Sequence, residues 1–239
     1  MNYKHVFLTG VLMISAAGSV FADEAAPKSW KGNAELGIVK TSGNTTTQSI
    51  NAKAGIAYER DQWRHNAGIE ILNTSTDEVT SAERYTVTGK SDYKFDALQY
   101  LFVTIAYESD RFAGFDDRTT EAIGYGRRVI SRDTVTLDLE AGPGARQTRF
   151  TDGDSTSEAL GRLVAAFAWK LSDTATFTED LSSDIGQDVT INKSVTALKA
   201  QVAGNLAMKA SYTVRNVSKV PVGTRKTDSE TTLTLVYGF

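Results

Sequence analysis

Beyond His5 the chain holds one histidine, His65, and it stands two residues from Trp63 in "WRH". Hydrolytic and acyl-transfer chemistry in such a chain calls for His beside Asp, Ser or Asn, with a third group to orient the base. His65 instead shares the spacing of its apolar neighbours, so it reads as an imidazole at an interface rather than as a general base. There is no Cys, and with one His left a transition-metal site has no ligand set. The acidic stretch "FTDGDSTSE" (150–158) offers Asp152, Asp154 and Glu158 as oxygen ligands for calcium, yet it lacks the twelve-residue ligand pattern and reads as a solvated loop. "GYG" (124–126) and "GPG" (142–144) carry glycine without a helix behind them to cradle phosphate, so they read as bends or close approaches within strands. No catalytic residue, metal ligand or cofactor is assigned, and the chain is read as a non-enzyme.

The elements that would hold any site are strands. Trp30, Gly32, Ala34, Leu36 and Ile38 alternate with Lys31, Asn33, Glu35 and Gly37, and the same period of two runs to Leu233, Leu235, Tyr237 and Phe239 at the end of the chain. Twelve strands are expected, near 30–40, 46–59, 63–74, 82–95, 99–110, 119–130, 134–146, 156–170, 174–182, 190–202, 206–216 and 226–239. Tight connections at 60–62, 96–98, 131–133, 171–173 and 203–205 alternate with longer polar ones such as 109–118, 147–157 and 217–226. The N-terminus has Lys4, an apolar run over 6–17 and "SVFA", a secretory signal peptide (1–22) cut between Ala22 and Asp23. A short periplasmic lead (23–28) and one barrel domain (29–239) complete the expected organisation.

An exported, even-numbered, up-and-down strand set describes an all-β, transmembrane antiparallel barrel of about 12 strands with both termini periplasmic. Strands of ten to fourteen residues fit a tilted bilayer crossing. Trp30, Tyr58, Trp63, Phe95, Trp169 and Phe239 share the apolar parity beside the tight turns, so they are expected to ring one membrane interface. The opposite face carries charges that a dry core could not hold. It assigns Lys53, Arg84, Lys90, Asp92, Arg128, Asp138, Glu140, Arg162, Lys199 and Lys209 to the lumen. At about 4.8 Å between strands and about 40° of tilt, the backbone radius is about 12 Å, so long side chains can close the water path. Without Lys4, 25 basic residues face 29 acidic ones, a net charge of −4 that offers no field for nucleic acid.

The segments "TSGNTTTQ" (41–48), "AYESDRFAGF" (106–115), "GYGRRVI" (124–130), "LEAGPGARQ" (139–147) and "LAMKASYTVRN" (206–216) resemble, in this order, the salt-induced outer-membrane protein family, a YdiY-like domain-of-unknown-function family. Ala145 departs from the aromatic expected after the second Gly of "GPG". The resemblance implies the outer membrane and transfers no catalytic residue. The terminal "TLTLVYGF" also resembles the signal read by barrel-assembly machinery, which makes that machinery and outer-membrane lipid the expected partners, with small solutes as candidate cargo.

The leading expectation is a barrel of unknown specific activity with a narrow or ion-pair-plugged polar lumen, serving envelope integrity or osmotic and salt adaptation. A porin-like channel for small, anionic solutes is the alternative, and a lipid-modifying enzyme is a second one. The sequence does not fix the oligomeric state.

Overall fold

The computed structural model describes residues 30–41, 47–77, 79–220 and 225–239. The signal peptide, the lead, the Ala22–Asp23 bond and most of "TSGNTTTQ" lie outside them. Alternating sequence becomes twelve strands: β1 (Trp30–Thr41), β2 (Thr47–Arg60), β3 (Trp63–Thr76), β4 (Val79–Lys94), β5 (Gln99–Asp110), β6 (Phe115–Ser131), β7 (Val135–Phe150), β8 (Ser155–Lys170), β9 (Ala175–Gly186), β10 (Thr190–Ala203), β11 (Leu206–Val217) and β12 (Thr227–Gly238). A 3-10 turn at Arg111–Ala113 joins β5 to β6. Each strand pairs antiparallel with its chain neighbours, and β1 pairs with β12, so the sheet is a closed barrel.

Closure answers a backbone requirement, because a free strand edge in hydrocarbon would leave N–H and C=O groups without partners. At the seam Asn33 faces Gly238 and Leu36 faces Leu235. The terminal residue extends the ladder: Phe239 N–H donates to Gly32 O at 2.9 Å and Gly32 N–H donates to Phe239 O at 2.8 Å. The Phe239 ring lies over Gly32, within 2.3 Å of where a Cβ would stand, so only glycine admits the ring there.

The end that carries both barrel termini has compact connections. The β2–β3 turn places Asp61 at φ 51°, and the β10–β11 turn places Gly204 at φ 50°, the conformation two-residue hairpins need. In the β4–β5 turn Asp96 accepts from Leu98 N–H at 2.7 Å and Gln99 N–H at 2.8 Å. These donors, Leu98 first, hold its carboxyl below the usual range.

The opposite end differs from the expected long loops. Segments 109–118 and 147–157 are mostly strand, since β6 starts at Phe115 and β7 runs to Phe150, with Phe115 opposite Phe150 and Arg118 opposite Thr148. β9 likewise continues to Gly186 rather than ending at 182. The reason is chemical: these hairpin extensions alternate polar residues, stabilised by cross-strand contacts such as Arg149–Asp117, and an apolar pattern does not reach them.

Removing Phe239 deletes two seam hydrogen bonds and a ring, whereas Arg225→Ala alters only the β11–β12 connection. The Phe239 deletion is expected to reduce the heat-modifiable, folded band in the outer-membrane fraction several-fold relative to Arg225→Ala. Equal bands from the two variants would contradict this role for the terminal residue.

Candidate functional site: the barrel lumen

Side chains alternate across each strand, so the register decides which ones face inward. On one wall Tyr100 and Phe102 of β5, 4% and 1% exposed, lie against the glycines of β6. A Cβ on Gly126 would stand 2.3 Å from the Tyr100 ring, and one on Gly124 would stand 2.8 Å from that of Phe102. "GYG" thus forms a floor for two aromatic rings, and the glycines of "GPG" let the β7 backbone lie close against β6. Above the rings, Arg64 lies 5.0 Å from the Tyr100 centroid, and Lys90 lies 5.4 Å from both centroids. Tyr100 Oη donates to Glu140 Oε1 at 2.8 Å, and Lys90 also binds Glu140. Arg64 pairs with the fully buried Asp92 at 2.6 Å, and Arg128 grips Asp138 through two bonds of 2.7 and 2.8 Å.

Other pairs cross the interior. Arg215 of β11 meets Glu108 of β5 at 2.5 and 3.1 Å, joining strands on opposite sides of the barrel. Arg84 of β4 reaches Glu230 of β12 at 3.0 Å and stands 3.7 Å from Glu70, which also holds Lys53 at 3.0 Å. Asn51 Nδ2 of β2 donates to the same Glu230 at 3.1 Å, passing over β1 at Gly37, its cross-strand partner, where no side chain intervenes. Arg162 pairs with Asp184 at 2.7 and 2.9 Å, and Lys209 pairs with Glu35 at 2.9 and 2.8 Å. These contacts separate two cavities. One, of about 860 Å3, opens at the short-turn end beside Lys31, Asp180, Lys199 and Lys209. The other, of about 820 Å3, opens at the opposite end beside Arg84, Arg118, Arg146, Phe112 and Phe150.

The ten residues assigned to the lumen by sequence all carry the inward register, and nine of them meet an opposite charge within the barrel. Lys199 is the exception: among the described residues it has no carboxylate partner, and it faces Lys209 across β10 and β11. Glu158 is drawn to Arg146, at 2.6 and 2.9 Å, so it is not grouped with Asp152, while Asp152 Oδ1 accepts from Asp154 N–H in a turn. Ala145 lies opposite Glu121 with the outward register, away from the packed lumen.

On the outside, Trp30 and Tyr58 rings stand 4.5 Å apart, and the series continues through His65, Trp63, Tyr93 and Phe95. His65 stacks between Tyr58 and Trp63, with Nδ1 at 2.9 Å from Ser91 Oγ. Trp169 faces Phe177 across β8 and β9. Sequence patterning missed several participants. Asp184 and Arg118 lie in strand extensions that apolar periodicity does not mark, and Tyr100 and Phe102 are apolar residues on the polar face. Glu179 of β9 is the converse. It faces outward between Phe177 and Leu181, and its carboxylate accepts from Ser194 Oγ at 2.7 Å and Thr196 Oγ1 at 2.5 Å.

A family model described as "Protein of unknown function, DUF481" matches residues 34–239. A protein of Escherichia coli (strain K12), described as "Uncharacterized protein YdiY", is 31% identical over 214 residues, covering 89% of this chain and 84% of its own. Among solved structures, an outer membrane channel from Pseudomonas putida F1 matches with a TM-score of 0.54 at 12% identity, over 92% of this chain and all of its own. The NanC porin matches at 0.52 with 10% identity over 87% and 98%, and the translocator domain of autotransporter NalP from Neisseria meningitidis at 0.51 with 12% identity over 90% of both. At these identities the likeness is one of fold.

Truncating one member of a buried pair strands the other charge, at a cost of about 3–5 kcal/mol, whereas removing both costs far less. Glu108→Ala is therefore expected to lower the urea midpoint of the lipid-folded barrel more than Glu108→Ala combined with Arg215→Met. Additive losses in this double-mutant cycle would show that the pair is not coupled. For Glu179, a carboxylate on the lipid face is unfavourable, so Glu179→Leu is expected to stabilise the barrel by about 1 kcal/mol in the same assay. A lower midpoint would show that the bonds from Ser194 and Thr196 outweigh the cost of the carboxylate on that face.

Proposed function

The chain belongs to the DUF481 family, and from that premise we propose that it is a non-catalytic outer-membrane barrel whose ion-paired lumen restricts passage to small solutes. In this reading the short turns and both barrel termini face the periplasm, the aromatic series rests at the inner interface, and "TLTLVYGF" is read by the assembly machinery. The observation that carries the reading is the Arg215–Glu108 contact between opposite walls, reinforced by Arg84–Glu230. Such pairs fill the section of the barrel where a porin would hold water. At 16% exposure for both Arg215 and Glu108, and 22% and 25% for Arg84 and Glu230, these pairs are screened by salt less than surface pairs are, which keeps the lumen closed. In this reading the barrel serves envelope integrity or osmotic and salt adaptation.

A channel for small anionic solutes is the second reading. It is favoured by Lys31, Lys193 and Lys199, inward-facing cations that form no direct ion pair among the described residues. One experiment separates the two. In planar bilayers the unmodified protein is expected to show little or no steady conductance, and replacing Arg84, Glu108, Arg215 and Glu230 together with Ala is expected to open a steady one. A large, anion-selective conductance in the unmodified protein would overturn the closed-lumen reading in favour of the channel.

A further inference from the structure

We propose that the cavity at the long-connection end is a binding site for a small organic anion, with its oxyanion held by Arg118 and Arg146 and its apolar body held by phenylalanines. This goes beyond the reading of the lumen as closed, because binding there does not require passage.

The case rests on unspent donors. Most arginines of the lumen are satisfied by a carboxylate: Arg64 by Asp92, Arg84 by Glu230, Arg128 by Asp138, Arg162 by Asp184 and Arg215 by Glu108. Arg118 is not. Among the described residues it forms no direct ion pair, although Glu108 and Asp110 stand near enough to act on its charge, and its Nε donates to Thr148 Oγ1 at 3.3 Å. Its guanidinium lies 4.0 Å from the centroid of the Phe115 ring, which fixes its plane. Arg146 is 2% exposed; Nε and Nη2 donate to Glu158, Nη2 also to Val189 O, and Nη1 has no hydrogen-bond partner. A buried, ionised donor left without an acceptor is costly, and a ligand oxyanion removes that cost.

The sheet brings the two guanidinium groups together. Arg118 pairs with Thr148, and Arg146 stands two residues before Thr148 on the same inward face of β7. Both arginines and Thr148, itself 6% exposed, line the cavity of about 820 Å3. Of the carboxylates beside or lining the cavity, Asp110 accepts from Ala113 N–H at 3.0 Å, Glu158 is held by Arg146 and by the N–H groups of Asp188 and Val189, Glu108 by Arg215 and Glu230 by Arg84 and Asn51, while Asp188 and Asp228 stand on the rest of the wall. Phe112, Phe150 and Val220 supply an apolar wall to the same cavity. Charged forks beside aromatic surface suit a carboxylate or phosphate carried on an apolar or aromatic group, and a bare ion would leave that wall wet.

Isothermal titration of the detergent-solubilised full-length protein with benzoate, benzyl alcohol and inorganic phosphate tests this. Benzoate is expected to bind saturably, Arg118→Gln to weaken it at least tenfold, Arg118→Lys to restore part of the loss, and Arg127→Gln, on the outer face, to leave it unchanged. Heat-modifiable migration of each variant establishes that it is folded. Benzoate binding that is equal in Arg118→Gln and the unmodified protein, or no tighter than that of benzyl alcohol, would overturn the site. Phosphate bound as tightly as benzoate would overturn the apolar half of the proposal.

Discussion

The strictest demand on this chain is that no backbone polar group be left unpaired in hydrocarbon. A closed sheet meets it, and closure fixes the rest. Once β1 and β12 are joined, each residue is either outside or inside, and the period of two becomes a partition of chemistry. Most leucines, isoleucines and valines and the aromatic series go outward, while most of the charges within the strands are gathered into the enclosed interior. There they need opposite partners, because a lone ion in such a place is unfavourable by several kcal/mol. The ion-pair layer follows from the closed wall.

The same enclosure explains the glycine-rich strands. Filling one side of the lumen with Tyr100 and Phe102 requires a wall without side chains, and Gly124 and Gly126 provide it, while Gly142 admits the close approach of the β6 backbone. The rings in turn give Arg64 and Lys90 aromatic faces to rest on, and Tyr100 shares Glu140 with Lys90. The family-like segments thus converge in space. "GYGRRVI" and "LEAGPGARQ" build the floor, Glu140 and Arg128 the network on it, and "AYESDRFAGF" meets "LAMKASYTVRN" where Glu108 meets Arg215.

Strand number, order, closure and the inward face were legible in the sequence because each depends on local alternation. Lys53, Arg84 and Lys209 could be placed inside from their immediate neighbours alone. Their partners could not be read, since Glu230 is 146 residues from Arg84 and Glu35 is 174 residues from Lys209. Periodicity names a face and says nothing of what stands opposite. It also fails where the apolar half of the alternation stops, which is why Arg118 and Asp184 fall outside the expected strands. Glu179 was obscured differently: its outward register depends on pairing with Phe167, and the acidic-looking "TED" stretch masks it.

The Asn51–Glu230 contact over Gly37 has a mechanical meaning. The β1–β12 ladder pairs only Asn33 to Leu36 with β12, whereas β1 pairs with β2 along its whole length. Beyond Leu36 the reach from β2 to β12 is a side-chain bond passing over β1 rather than the ladder. A cylinder joined this way has an uneven seam, with its backbone bonds gathered at the short-turn end.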